Sequence, residues 1–208
     1  MRVGLVLLVL SGTGCEEPTT GKPITARFTD HFERSTLGDQ YFDTGGHWQI
    51  RSGELRVRGA RNHPLWLVRR LPRNVAIELM ARSSSPDGDI KVEVFGDGRS
   101  YATEDSYTAS SYVVIFGGWR NSLSVIARMN EHGDDRKVRR SPRVEPGRRY
   151  RFRIERRGKK LTWLLDGERM LELDDPAPLE GEGHQYFAFN DWEAELAFDD
   201  LVIEPLGP

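Results

Sequence analysis

The stretch Arg149-Tyr-Arg-Phe-Arg-Ile-Glu155 alternates charged and apolar residues over seven positions. Because successive side chains of a β-strand point to opposite faces, this alternation predicts a strand with one buried face and one face in water. We expect Tyr150, Phe152 and Ile154 to lie in a core, with the four charged residues solvated. A turn at 157–159 leads into a second strand with Leu161, Trp163 and Leu165 facing inward.

The same period of two recurs along most of the chain. It places Leu55 and Val57 of Glu54–Arg58 inward, and it repeats in Asp89–Val94, where the apolar residues are Ile90, Val92 and Val94. Further strands are expected at 47–51, 65–69, 75–83, 112–116, 122–128, 170–173, 186–190 and 195–204. No stretch of ten residues has the apolar stripe of a helix. The pattern predicts an all-β fold, an antiparallel two-sheet sandwich or jelly roll.

The N-terminus has the three parts of a secretory signal: a cation, Arg2, an apolar run of eight residues from Val3 to Leu10, and small residues before Cys15. This arrangement resembles the lipobox of bacterial lipoproteins. The resemblance implies cleavage before Cys15, lipid attachment to its thiol, and an extracytoplasmic protein anchored in the membrane of the cell envelope. A plain signal peptide remains the alternative. A spanning helix is disfavoured, because it needs about 20 apolar residues and this run has eight.

Three segments follow from this organisation: a signal peptide at 1–14, a flexible tether at 15–27 rich in Pro, Thr, Gly and charge, and one globular domain at 28–205. Without residues 1–14 the chain has 29 Lys plus Arg against 32 Asp plus Glu, a formal charge of −3. The basic runs 136–143 and 148–160 are interpreted as solvated strand faces, and binding to an acidic polysaccharide or an anionic membrane is the alternative. Nothing in the composition predicts a nucleic-acid partner.

Four short motifs resemble the first and last strands of concanavalin A-like (laminin G-like) jelly rolls of secreted bacterial proteins. They are Phe28–Arg34, Gly46–Ile50, Gly53–Leu55 and Ala197–Ile203. The resemblance implies a jelly-roll domain from a family that includes lectins, carbohydrate-binding modules, glycoside hydrolases and polysaccharide lyases. Fold alone therefore does not decide between binding and catalysis.

A catalytic site would need paired carboxylates. The stretch Asp191-Trp-Glu-Ala-Glu195 supplies three, and an extended backbone would place Asp191, Glu193 and Glu195 on one face. The competing interpretation makes Glu193 and Glu195 the solvated positions of a strand whose inward residues are Ala194, Leu196 and Phe198.

A carbohydrate site would need tryptophan beside polar groups, since sugar rings stack on aromatic rings while amides and charged groups bind their hydroxyls. Three segments have that composition. Their candidate ligand-binding residues are Asn62, His63 and Trp66; Trp119, Arg120 and Asn121; and Asn190, Asp191 and Trp192. Each tryptophan has burial in the core as its alternative. Trp48 and Trp163 are assigned to the core.

The resemblance also implies a structural calcium ion near the first and last strands, with Asp30, Glu33 and Asp199 as candidate ligands. No other cofactor is expected. The sequence therefore predicts a monomeric membrane-anchored lipoprotein with a non-catalytic carbohydrate-binding domain, its membrane contact made only through the lipid. The alternatives are a polysaccharide-active hydrolase or lyase, and a structural or protein-binding envelope domain.

Overall fold

A computed structural model describes residues 21–104 and 107–207. The predicted signal peptide and Cys15 lie outside the described residues. The strands are β1 (Lys22–Pro23), β2 (Phe28–Asp30), β3 (Tyr41–Asp43), β4 (Gln49–Arg51), β5 (Glu54–Arg58), β6 (Leu65–Leu67), β7 (Arg69–Arg70), β8 (Val75–Ser83), β9 (Ile90–Gly96), β10 (Tyr112–Gly117), β11 (Leu123–Arg128), β12 (Lys137–Arg139), β13 (Tyr150–Arg157), β14 (Lys160–Leu165), β15 (Glu168–Asp174), β16 (Tyr186–Asn190) and β17 (Glu195–Pro205).

Fifteen of these strands form two antiparallel sheets that pack face to face, and β1 and β7 form a separate parallel pair. The eight-stranded sheet has the order β15-β14-β13-β8-β17-β5-β4, with β2 paired to the second half of β17. The seven-stranded sheet has the order β12-β11-β10-β9-β16-β6-β3. The predicted all-β jelly roll is confirmed, and the strands at 75–83 and 186–190 have the bounds that the sequence predicts.

The core lies between the sheets and is built by the alternate side chains that the sequence predicts. Phe116 of the seven-stranded sheet contacts Tyr150, Phe152 and Trp163 of the other sheet, at ring-centroid distances of 5.0, 6.2 and 6.1 Å. Burying one such ring stabilises the fold by about 1.5–3 kcal/mol. Trp48 and Trp163 are buried, which confirms their assignment to the core.

The outer face of the eight-stranded sheet carries charged residues in pairs at the solvent boundary. On β13, Arg153 pairs with Glu78 of β8 and with Glu155. Glu54 of β5 accepts hydrogen bonds from Arg56 and Arg82 at 2.8 and 2.7 Å. This face matches the solvated face predicted from the 149–155 stretch.

The fold begins earlier than predicted, within the segment assigned to the tether. Ile24 is buried in the core, and its amide donates to the carbonyl of Arg70 at 2.9 Å. Gly21 lies so close to the backbone of Val68 that a Cβ there would be 2.7 Å from the Val68 carbonyl oxygen. Residues 21–27 are therefore part of the folded domain.

Candidate functional site

The outer face of the seven-stranded sheet is covered by the chain itself. Residues 97–104 and 107–111, between β9 and β10, lie over this face, and we call them the covering loop. Its backbone is fixed by the Trp66 indole, which donates to the Ser100 carbonyl at 3.0 Å, and by the amides of Ala102 and Ala109, which donate to the Asn62 and Met129 carbonyls. Apolar residues of the loop and sheet form a second cluster there: Ala102, Tyr107, Ala109, Val113, Ile115, Val125 and Ala127.

A polar network lies beneath the covering loop. Glu93 of β9 has no exposed surface and accepts hydrogen bonds from Ser111 at 2.5 Å, Asn190 at 2.6 Å and Tyr107 at 3.1 Å. Burial raises the pKa of Glu93 to about 7, against the opposing effect of these hydrogen bonds. The buried carboxyl group of Glu93 therefore links the covering loop to β9 by hydrogen bonds.

Lys91, two residues before Glu93 on the same face of β9, is also buried. Its ammonium group contacts the Asn62 amide oxygen and the Glu131 carboxylate, both at 2.9 Å. Burial disfavours the charge, but the carboxylates of Glu131 and Asp89 outweigh it and raise the pKa of Lys91. The lysine is therefore a fixed cation at the end of the network.

A cleft of about 620 Å³ opens beside Lys91. Its floor is formed by β9 and β10, and one side comes from the turn after β10 and the loop after β11. The other side comes from the segment after β16, which neighbours β9 in the sheet. The lining residues are Asn62, Ser85, Asp87, Asp89, Lys91, Tyr107, Ile115, Trp119, Arg120, Glu131, His132, Trp192, Glu193 and Ala194.

Trp119 reaches the cleft from a left-handed turn, Gly118–Asn121, in which Trp119 and Arg120 have φ of 50° and 56°. Asn121 fixes this turn by exchanging two hydrogen bonds with the backbone of Val144, at 2.7 and 2.8 Å. The His132 ring meets the indole of Trp119 edge-on at 5.4 Å, and the Arg136 guanidinium lies 5.0 Å from its centroid. Left-handed backbone at non-glycine residues costs energy and is concentrated at functional sites.

Trp192 lies on the opposite side of the cleft and is positioned by Asp191. The Asp191 carboxylate accepts the amides of Ala60 at 3.0 Å and Ala194 at 2.9 Å, and it has no exposed surface. Burial raises the pKa of Asp191 to about 7. This residue holds the 191–194 turn, so that Trp192 and Glu193 line the cleft.

The predicted catalytic set Asp191, Glu193 and Glu195 does not share one face. Asp191 is buried against backbone amides, whereas Glu193 is exposed at the cleft rim and pairs with Arg61 at 3.3 Å. Strand β17 begins only at Glu195, which is exposed and lies opposite Arg58 of β5. The turn at 191–194 breaks the extended backbone that the prediction required.

Of the predicted ligand-binding residues, Asn62, Trp119, Arg120 and Trp192 line the cleft together. The others are used elsewhere. Trp66 has no exposed surface because the covering loop lies over it, and Asn190 is buried beside Glu93. His63 packs on Tyr101 at 5.3 Å, and Asn121 serves the turn.

Two of the three predicted calcium ligands, Asp30 and Asp199, are each paired with an arginine. Asp30 is buried and accepts both Arg34 nitrogens, at 2.6 and 2.9 Å, together with the Tyr41 hydroxyl at 2.8 Å. Glu33 is exposed, and Asp199 pairs with Arg149 at 2.8 Å. In the part of the chain that the structure describes, no three His, Cys, Asp or Glu side chains are grouped as a metal site. The guanidinium of Arg34 occupies the place at Asp30 that a cation would take.

The two-sheet architecture makes this chain a concanavalin A-like jelly roll, and solved structures of that class are similar to it. A β-1,3-1,4-glucanase (lichenase) derived from a mouse hindgut metagenome has a TM-score of 0.64 at 10% identity, over 87% of this chain and 100% of that one. The carbohydrate-binding module CBM66 from Bacillus subtilis has 0.58 at 14%, over 79% and 95%. The potassium-bound carbohydrate recognition domain of Emp46p has 0.60 at 12%, over 84% and 94%.

These likenesses are likenesses of fold. No protein-family model matches the sequence, and a search of curated proteins finds no relative. Within residues 21–104 and 107–207, no helix is long and apolar enough to cross a membrane.

Proposed function

We propose that this chain is an extracytoplasmic carbohydrate-binding protein and that a sugar binds in the cleft between Trp119 and Trp192. The observation that carries the proposal is the placement of these two indoles on opposite sides of a polar floor. A cleft of about 620 Å³ falls within the range of about 300–1,000 Å³ that is usual for small-ligand sites. The likeness to CBM66 and to the Emp46p domain supports the proposal at the level of fold.

The cleft offers both kinds of contact that a sugar needs. Indole rings bury the C–H faces of a sugar ring, while Asn62, Asp89 and Arg120 can exchange hydrogen bonds with its hydroxyl groups. Asp89 has a φ of 59°, is partly buried just before β9 and lines this space, and its carboxylate accepts a hydrogen bond from the Trp192 backbone. Fixed polar groups of this kind orient a ligand that aromatic walls hold.

We propose further that binding occurs without catalysis. Glycoside hydrolysis needs two carboxyl groups that reach the ligand on either side of the scissile bond. The two carboxyl groups with pKa values raised to about 7, Glu93 and Asp191, have no exposed surface and are held by donors of the chain. Glu131 is paired with Lys91.

The binding proposal is tested by thermal shift against a panel of soluble glycans, followed by calorimetry with the best ligand. A ligand that binds only the folded protein raises the unfolding midpoint by mass action. Trp119→Ala and Trp192→Ala should each weaken binding about tenfold or more, since aromatic anchors commonly contribute about 1–2 kcal/mol. Tyr101→Ala, which removes an exposed aromatic ring outside the cleft, is the control. Unchanged affinity in both tryptophan variants would reject the site.

A hydrolase acting on polysaccharide is the second candidate, and Asp89 and Glu131 at the cleft are the observation in its favour. Asp89→Asn and Glu131→Gln would abolish release of reducing sugar if those carboxyl groups act on the bond. Under the binding proposal, the wild-type protein releases no product from a glycan that it binds.

The membrane anchor is proposed separately, from Cys15. Metabolic labelling with a palmitate analogue should mark the wild-type protein and leave Cys15→Ala unmarked. An unlabelled wild-type protein would favour a secreted domain with a plain signal peptide.

A further inference from the structure

We infer that the cleft binds the terminal unit of a glycan chain and does not accept an internal segment. This inference rests on the proposed carbohydrate function and makes it more specific. It comes from the covering loop, which fills the outer face of the seven-stranded sheet on one side of the cleft.

A polysaccharide chain that crossed this sheet would need a continuous groove. Neighbouring strands are about 4.8 Å apart, so the path over seven strands would extend for about 30 Å. The covering loop occupies that path: Trp66 of β6, Glu93 of β9, Val113 of β10 and Val125 of β11 all lie beneath it or beside it with at most 1% of their surface exposed.

Tyr107 closes the inner end of the cleft. Its ring lines the cavity, and its hydroxyl donates to Glu93 at 3.1 Å. Only 8% of the residue is exposed, and the apolar cluster with Ile115 and Val125 packs against it. A sugar that enters therefore meets a fixed wall.

The other end of the cleft opens to water at the turn between β8 and β9. Asp87 is exposed there, and Ser85 is half-buried. A chain end can enter from this side and place its last unit between the two tryptophans. An internal unit would have to leave through Tyr107.

The covering loop is built into the domain at several points, which makes the closed end a permanent feature. The hydrogen bonds at Ser100, Ala102 and Ala109 join the loop to Trp66, Asn62 and Met129. Within the loop, Asp97 accepts the amides of Arg99 and Ser100 at 2.9 and 2.8 Å. Ser111, at the far end of the loop, donates to Glu93. Opening the loop would break the hydrogen bonds that join it to the sheet, including the buried one between Ser111 and Glu93.

The test uses wild-type protein and polymers of defined length. Mixed-linkage β-glucan, levan, xylan and mannan are each supplied at constant mass, intact or shortened about tenfold by mild acid. Calorimetry then gives the number of binding sites per gram. Terminal recognition predicts that the sites per gram rise about tenfold on shortening, in step with the number of chain ends.

Two results would count against the proposals, and they are distinguishable. Binding with sites per gram unchanged by shortening would overturn terminal recognition and leave carbohydrate binding standing. No binding by any polymer or fragment would overturn both. Tyr107→Ala, which removes the wall, should bring the intact and shortened polymers closer together in sites per gram, whereas Tyr101→Ala on the same loop should not. An effect of equal size in both variants would contradict the role of Tyr107.

Discussion

The outer faces of the two sheets begin from the same sequence pattern and end in different environments. On the eight-stranded sheet, the charges of 149–155 stand at the solvent boundary, and the side chain of Arg153 is 32% exposed. On the seven-stranded sheet, the charges of Lys91 and Glu93 are buried beneath the covering loop and beside the cleft, and the side chain of Lys91 is 2% exposed. Ion pairs on the first face contribute little to stability, whereas those on the second carry a large desolvation cost. The cleft lies beside the buried pair of Lys91 and Glu131, which carries this desolvation cost.

The largest difference between the faces is expected from Lys91→Ala. The variant leaves the Glu131 carboxylate without its cation, and the Asn62 amide oxygen keeps only the longer hydrogen bond from Asn190, at 3.4 Å. Removing one partner of a buried pair costs about 3–5 kcal/mol. Urea unfolding measures the loss, with Lys160→Ala as control because Lys160 pairs with Glu172 at the surface. A loss below about 1 kcal/mol would mean that the Lys91 pair contributes no more to stability than the exposed ion pairs of the eight-stranded sheet.

The pH dependence of stability should come next in size. Burial raises the pKa of Glu93 to about 7, so between its ordinary value and pH 7 the folded state holds a proton that the unfolded state releases. Stability therefore falls as the pH rises through this interval. Glu93→Gln does not titrate, and its free energy of unfolding should decrease less between pH 5 and 8, by up to about 3 kcal/mol. Parallel pH profiles of the two proteins would contradict a buried Glu93.

A smaller effect is expected from Gly96→Ala, at the end of β9. A Cβ at this position would lie 2.3 Å from the Trp66 ring, which the covering loop holds in place. Overpacking of this kind costs about 1–3 kcal/mol. Adding Trp66→Phe to Gly96→Ala should recover part of the lost stability. Thermal unfolding of the two single variants and the double variant measures the coupling between the two positions. If the stability losses of Gly96→Ala and Trp66→Phe simply add, the Trp66 ring can move away from position 96 and the two residues are not coupled.

The smallest effect is expected on the solvated face. Arg153→Ala removes the partner of Glu78 and Glu155, and exposed pairs contribute about 0–1 kcal/mol. The difference should shrink further in 1 M salt, where the screening length is about 3 Å. A salt-independent loss above about 2 kcal/mol would remove the contrast between the faces.

Period-two alternation was enough to predict which side of each strand faces the core. It placed Phe152 and Trp163 correctly, and the glycine-flanked turn indicated Trp119 as a cleft residue. The same pattern could not indicate that Lys91 and Glu93 are buried, because alternation separates two faces without specifying what covers the second one. Their cover comes from the covering loop, and Glu131, the partner of Lys91, lies in the loop after β11.

The calcium prediction at Asp30 did not take into account the arginine that pairs with this carboxylate. Acidic residues near the first and last strands suggested a cation, and the cation at Asp30 is Arg34, four residues along the same motif. A local signal was available there, since a cation four residues away can reach back to a carboxylate across a short loop. The role of Asp191 had no such signal, because its partner Ala60 is 131 residues away.

If Cys15 carries the proposed lipid, the early start of the fold at Gly21 sets how far the domain can stand from the membrane. Five residues lie between Cys15 and Gly21, so the connection has six steps of at most about 3.3–3.6 Å and can span about 20 Å. With the lipid on Cys15 as proposed, the domain would stand closer to the bilayer than its own diameter. Any glycan it captures would then have to present its free ends at the membrane surface.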